Sequence, residues 1–377
     1  MDQVKGRKTC KKNFHFYCVA VLARAAGFNP ADALTIAYAS QYTDNATESE
    51  QIRLAGDVNF DPVCTTYDKL EDLGRAVLNW SAQKRVYIPF HFIPPQRFNP
   101  SQNGSYSFVT NQDSKFANWL LNEAAREPLK NNKHRLCRIG IALHMFADTW
   151  AHKGFSGRLN RVENDIDGIK VFDPDTNQYQ AVTPGERILL NILPEIGHAE
   201  ACYFPDLSYA KWQYAYERQN TPPVLRDNVT DYLQAAQKIY GYLSQVKKQN
   251  PASPIPWEDL KPDFQRLFAY RPADSLGLKD LFSRAAYDAY HAFQENERCE
   301  LWRTTFEHLF APHALTYNKE DWRRQAFAGD TNWDSFTPQE WAQGPPITPR
   351  PDFWDSLWVH FHRAALRHRH LVLENLP

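Results

Sequence analysis

The densest chemistry in the sequence lies in Leu143-His144-Met145-Phe146-Ala147-Asp148-Thr149-Trp150-Ala151-His152. His144, Asp148 and His152 stand four residues apart. At about 100° per residue, a helix keeps three such side chains within roughly 80° of one another and about 12 Å along its axis. Two imidazoles and a carboxylate so aligned can ligate one metal ion or more, with Asp148 in the middle able to bridge two. The apolar neighbours Leu143, Met145, Phe146 and Trp150 predict that this helix is buried. Buried imidazoles and carboxylates need partners, and a metal satisfies all three. A hydrogen-bonded core network or a solvated polar stripe are the bland alternatives.

The triple has company. His15 stands between Phe14 and Phe16, and Asp44 ends Ser40-Gln41-Tyr42-Thr43-Asp44. His91 lies in Ile88-Pro89-Phe90-His91-Phe92, and His198 in Ile196-Gly197-His198-Ala199-Glu200. Each alone is more often a satisfied core or capping residue than a ligand. Together they read His, Asp, His, His-x3-Asp-x3-His, His, and every histidine before residue 200 except His134 has an apolar or helix-end setting.

The elements that must position these residues are mostly helical by periodicity. A first helix is predicted over about 13–26, with Asn13 as N-cap and Gly27 as stop. Asn29-Pro30 opens a second. A third is predicted over about 67–82. Lys84 to Phe92 is rich in β-branched and aromatic residues and predicts a short strand. Further helices are predicted over about 114–126, 134–153 (stopped by Gly154), 184–201, 224–247, 257–270, 278–300, 301–310 and 352–373, with loops and a small hairpin over 156–182. The fold class is therefore mainly α with a few short extended segments. Residues 1–215 form a helical metal-site core, and residues 216–377 a helical C-terminal region that can pack into the same domain. His360, His362, His368 and His370 read as the basic outer face of an amphipathic terminal helix.

Composition excludes other classes. The 377 residues carry a formal net charge of −1, and 14% are aromatic. Disorder needs few aromatics and high net charge, and a protein coating long duplex nucleic acid needs a strong basic excess. Six cysteines (Cys10, Cys18, Cys64, Cys137, Cys202, Cys299) include no CxxC pair and read as free thiols in a reducing compartment. The apolar stretch after the basic N-terminus carries His15 and Arg24, unlike a cleavable signal peptide, and no stretch is long and apolar enough for a transmembrane helix. The expected location is cytoplasmic, or exported without a cleavable signal. HExxH, GxSxG, Walker and GxGxxG motifs and an adjacent His-Asp pair are absent.

The order of the candidate ligands resembles the zinc-dependent phospholipase C and single-strand-specific nuclease superfamily, over about residues 13–206. The blocks KNFHFY, IAYASQYTD, FHFIP and LHMFADTWAHKGFSG are also similar, more closely, to a family of uncharacterised bacterial proteins. The superfamily resemblance implies an all-helical phospholipase C-like bundle holding two or three zinc ions. Its ligands here would be His15, Asp44, His91, His144, Asp148, His152 and His198. Three departures stand out. The middle spacing is x3-x3 where characterised members have x3-x5, no N-terminal Trp supplies an amine ligand, and Cys202 occupies the i+4 position after His198. Asp206 is the favoured carboxylate partner of His198, with Glu200 and Cys202 as competitors. The implied activity is hydrolysis of a phosphodiester, of phospholipid or nucleotide type, by a metal-activated hydroxide. Asp148 would bridge the metals and Asp44 would ligate or orient the water. Arg158 and Arg161 are candidate phosphate contacts. Phe14, Phe16, Tyr42, Phe92, Phe146 and Phe155 are candidate platforms, most of them core. The alternative is a non-enzymatic, metal-stapled helical protein that binds a partner. Nothing in the sequence sets the oligomeric state.

Overall fold

The computed structural model describes residues 12–67, 79–101, 105–128, 131–182, 197–201, 203–247, 254–272, 284–329, 333 and 344–377. Helix α1 joins a π-helical turn, Asn13–Cys18, to Val19–Ala25. Asn13 does not cap it, because Lys12 is already helical and the Asn13 side chain is buried inside the first turn. Helix α2 (Pro30–Tyr42) starts as its sequence signals say: the Asn29 side chain accepts from Asp32 N, and Pro30 takes the first position. A two-stranded hairpin follows, β1 (Ile52–Leu54) with β2 (Val58–Phe60).

The segment over 84–92 is helical, not a strand. Helix α3 runs through Trp80–Ala82, a second π turn Gln83–Tyr87, and Ile88–Phe90. Its β-branched and aromatic residues are buried against the C-terminal helix, and tertiary packing overrides their weak strand preference. Of the helix expected over 67–82, residues 68–78 lie outside the described residues.

Helix α4 (Lys115–Ala125) is capped by Ser114, whose hydroxyl accepts from Ala117 N. Helix α5 (Asn132–Ala151) is buried nearly throughout from Leu136 onward. Next come a short helix α6 (Arg161–Asn164) and the strands β3 (Ile166–Asp173), β4 (Gln178–Ala181), β5 (Lys211–Tyr216) and β6 (Val224–Asp227). These strands form an antiparallel sheet in the order β4-β3-β5-β6. Residues 224–227 are thus a strand paired with β5, and the helix expected from 224, α7, begins at Asn228 and ends at Lys247. Helices α8 (Trp257–Ala269), α9 (Arg284–Phe306), α10 (Asp321–Ala326) and α11 (Leu357–Leu373) complete the chain. Residues 183–196, most of the helix expected over 184–201, lie outside the described residues. The described end of that segment, Ala199–Ala201, is a 3₁₀ turn.

The architecture is mainly α with two small sheets. One apolar core takes Phe14 and Ile36 from the N-terminal helices, Leu143 and Phe146 from α5, and Phe264, Trp302, Trp358 and Phe361 from the C-terminal ones. A smaller cluster of Phe92, Phe155, Phe204, Trp212 and Tyr214 lies against the four-stranded sheet. No described helix is long and apolar enough to cross a membrane.

Helix α11 corrects the reading of its histidines. His360, His362 and His368 are buried, and only His370 faces outward. His362 Nδ1 accepts from Val63 N at 2.9 Å, and His368 Nε2 donates to Pro89 O at 2.9 Å. The helix packs on α5, α3 and α10, so more than one of its faces is covered. Burial, then the charge of Arg138, pulls His368 down to about 3, and burial pulls His362 down to about 4.

Helices α2 and α5 cross at Gly140. A Cβ there would lie 2.3 Å from Ile36 O and 2.6 Å from Ala39 Cβ, a contact only glycine permits. Since α2 leads into Asp44 and α5 carries His144, the close approach sets their separation.

Two outcomes follow. Gly140→Ala should lower unfolding free energy by at least about 2 kcal/mol in urea titration, because the clash is with backbone and cannot be relieved by a rotamer change. Acid should destabilise the fold as pH falls from 6.5 toward 4, where the unfolded chain protonates histidines that stay neutral in the native state. Above pH 6.5 neither state binds these protons and the loss is absent. His368→Gln, which keeps a donor but cannot titrate, should flatten that slope, as read by denaturant unfolding across the window.

Candidate metal centre

The sequence-predicted residues converge from separate elements around Asp148. Helix α5 supplies His144 and Asp148, and its C-cap residue is His152. His15 comes from the π turn of α1, Asp44 from the turn after α2, and His91 from the residue after α3. His198 and Asp206 come from the connection between β4 and β5, Asp206 closing a 3₁₀ turn Phe204–Asp206. Gly197 precedes His198 with φ +57°, and a Cβ there would meet Phe92 Cζ at 2.3 Å, so glycine is required to seat His198 beside the Phe92 ring.

Among the described residues, three groups of donors could each hold a metal ion: His15, Asp44 and His144; His91, His144 and Asp148; and His152, His198 and Asp206. The two Asp148 oxygens face different imidazoles. Oδ1 lies 3.3 Å from His15 Nε2, and Oδ2 lies 3.1 Å from His91 Nδ1 and 3.3 Å from His144 Nε2. His144 Nε2 is also 3.6 Å from Asp44 Oδ1. In the third group, His198 Nε2 is 4.0 Å from Asp206 Oδ1, and the His152 and His198 rings lie 4.5 Å apart.

Carbonyl contacts set the tautomers, because a carbonyl oxygen only accepts. His91 Nε2 faces Thr65 O at 2.9 Å and must carry a proton there. A neutral His91 therefore turns the lone pair of Nδ1 toward Asp148 Oδ2, acceptor against acceptor. A cation held by His91 and Asp148 would relieve that repulsion. His152 behaves oppositely: Nδ1 donates to His91 O at 2.8 Å, which leaves Nε2 as its ligating nitrogen. His152 Nδ1 is 3.6 Å from Asp148 Oδ2 but is committed to the carbonyl. The even four-residue stripe expected on α5 thus stops at Asp148. The helix ends at Ala151, and His152 turns to the third group.

Burial and charge agree with this division. Burial, reinforced by His144 and opposed by Asp148, draws His15 down to about 4, so its ring is neutral at pH 7. His15 Nε2 faces Asp148 Oδ1, but its Nδ1 is buried without a hydrogen-bond partner among the described residues, an arrangement that costs free energy unless something satisfies it. Burial works against a charge on Asp44, but His144, His15 and His91 outweigh it and hold the carboxyl below its ordinary range. These donors, buried imidazoles and carboxylates drawn together from separate elements, fit a bound divalent cation. His15, His144 and Asp148 are sealed, whereas the Asp44 side chain keeps 19% exposure and those of His198 and Asp206 18% each. The centre opens on that side.

The other candidates have structural duties. Glu200 Oε2 accepts from Ile166 N at 2.7 Å, and Cys202 lies outside the described residues. Arg158 is bound to Glu163 at 2.5 Å and covers the Phe108 ring, and Arg161 opens the short α6. Phe14, Phe16, Tyr42, Phe92, Phe146 and Phe155 are all buried, and Phe92 stacks on His152 at 4.4 Å.

Spacing could not reveal the supporting groups. Thr65 ties His91 to the Asp44 turn, donating from Oγ1 to Thr43 O at 2.6 Å while its own carbonyl holds His91. Arg226 Nη2 donates to Trp150 O at 2.9 Å and Ala151 O at 3.1 Å, closing the end of α5 just before His152. An arginine within a short strand and a threonine in a loop carry no sequence signal for these roles.

Because His144 belongs to two groups and His198 to one, metal loss should be graded. Elemental analysis should find about one equivalent missing in His198→Ala and more in His144→Ala. Chelation should lower the melting temperature of the wild type, and the shift should grow with free metal on re-addition. A wild type that binds no metal on reconstitution would sink the metal assignment.

No curated protein and no solved structure matches the chain. A family match spans residues 10–376, nearly the full length and both sides of the soft boundary at 215. The chain belongs to a family of unknown function, DUF6765.

Proposed function

We propose that the protein is a metal-dependent phosphoesterase, with zinc as the preferred ion, acting on a phosphodiester. The same reading takes the helical scaffold as phospholipase C-like. The observation that carries it is the asymmetry of the centre: its donors are sealed at His15, His144 and Asp148 and open at Asp44, His198 and Asp206. A structural zinc site is usually closed by four ligands, whereas a catalytic one keeps a position open. Three donor groups, two of them sharing His144, exceed what a staple needs.

Residues of the first two groups would hold two ions, with Asp148 spanning them through its separate oxygens, and His152, His198 and Asp206 would hold a third. When bound, such ions supply Lewis acidity and bring a water molecule's pKa to about 7. Asp44 stands at the mouth, ionised and next to His144, where it can orient an attacking water and take its proton. Asp148 is acceptor-only and buried, so its role is to fix the donors. Phe92 stacks on His152 and fixes the plane of that ring.

The test is a metal-loaded preparation assayed on bis(p-nitrophenyl) phosphate, phosphatidylcholine and a dinucleotide. Hydrolysis of at least one should appear, vanish on chelation and return with zinc. Asp44→Asn should lower kcat by about 10²–10⁴ if it handles the proton, a loss larger than any fall in metal content measured on the same preparation. A loaded protein that cleaves none of these and merely unfolds on chelation would instead be a metal-stapled scaffold.

A further inference from the structure

Helix α9 packs on the π turn that carries His15 and holds a buried charge with unmade hydrogen bonds. Three polar residues on it are buried: Gln294, Glu295 and Arg298. Tyr209, three residues beyond Asp206, donates from its hydroxyl to Gln294 Oε1 at 3.1 Å. Glu295 Oε1 accepts from Lys12 N at 2.8 Å, three residues before His15. One turn of α9 is thereby tied to both ends of the candidate centre. Burial raises the Glu295 carboxyl, and the charge of Asp44 raises it further, which places Glu295 within reach of the mouth.

Arg298 follows Glu295 by three residues, on the same face of α9. It is 4% exposed, with Cζ 5.6 Å from the centroid of the Tyr209 ring. Its Nε and Nη1 are buried and have no hydrogen-bond partner among the described residues. A guanidinium does not shed its charge. Contact with the Tyr209 ring offsets only part of the cost of burying it, and unmade bonds to a charged donor are among the most expensive in a protein interior. An arrangement of this kind is stable in function when an anion completes it, and guanidinium donors match phosphate oxygens closely.

We propose that Arg298 is a phosphate-binding residue, receiving the oxygens of a phosphate group presented at the mouth formed by Asp44 and Asp206. The inference rests on the phosphoester reading above and adds to it the group that grips the substrate anion. It also assigns α9 a role in binding, where the centre itself uses only residues before 207.

The experiment is calorimetric titration of inorganic phosphate into the metal-loaded wild type, Arg298→Met and Arg298→Lys, with metal content and melting temperature measured on each. Arg298→Met should weaken phosphate binding about tenfold or more, with metal content unchanged. Arg298→Lys should fall between. Competition by glycerophosphocholine or by a dinucleotide then tells whether a lipid head group or a nucleic-acid backbone carries the phosphate. Equal phosphate affinity in Arg298→Met, or no phosphate binding by the wild type, overturns the proposal. A lowered melting temperature with affinity retained shows a structural arginine and overturns it too. Arg298-dependent phosphate binding without ester cleavage defeats the phosphoesterase reading alone, and cleavage indifferent to Arg298 defeats this inference alone.

Discussion

Everything around the centre depends on one carboxylate in a place where a carboxylate should not be. Asp148 is sealed in the last turn of the buried helix α5, within 3.6 Å of imidazole nitrogens from His15, His91, His144 and His152. An isolated charge in such a setting is strongly disfavoured. Its surroundings show how the chain lives with it. Three elements bring it nitrogen donors, α1, the end of α3 and α5 itself, and each is held by packing that does not involve the carboxylate. The glycine at the α2–α5 crossing, the threonine that joins two loops and the arginine that ends α5 all serve the same geometry.

The division of labour between helix and loop follows from that constraint. A helix positions its side chains by fixed phase, which suits the sealed donors His15, His144 and Asp148. The partly exposed donors Asp44, His198 and Asp206 sit on turns, where backbone direction changes from residue to residue. His152 stands at the boundary between the two regimes. Its tautomer is set by the main-chain carbonyl of His91, itself the first residue beyond α3. The same carbonyl-imposed logic runs in the opposite sense for His91, so the two rings ligate through different nitrogens.

Much of this was legible in the sequence, and the failures have physical causes. Helix α2 was legible because Asn29 and Pro30 act within four residues of themselves. The His/Asp residues were legible because acid–base side chains in apolar surroundings are conspicuous, and the structure brings them together. Helix α3 was not, because its residues favour a strand locally and only burial against distant helices reverses the choice. The α11 histidines were misread because periodicity shows which residues share a face but not how many faces are covered. The break at His152 was hidden as well: spacing assumes that the helix continues, and here it ends one residue too soon. Thr65 and Arg226 act through or upon main-chain carbonyls, which leave no mark in a pattern of side chains.

The π turns in α1 and α3 have a consequence for how this chain can change length. Each is a helical stretch wound with a wider turn, equivalent to one residue inserted into an α-helix. Deleting a residue within Asn13–Cys18 would leave a sound α-helix, but everything before the deletion would rotate by about 100° relative to Val19–Ala25. The apolar packing of the second half would survive while His15 swung away from Asp148. The turn joining β3 to β4 has no such coupling, since its residues are exposed and far from any donor. In descendants of this chain, helix length near the N-terminus is therefore an adjustable phase setting for the centre, and hairpin length is free to drift.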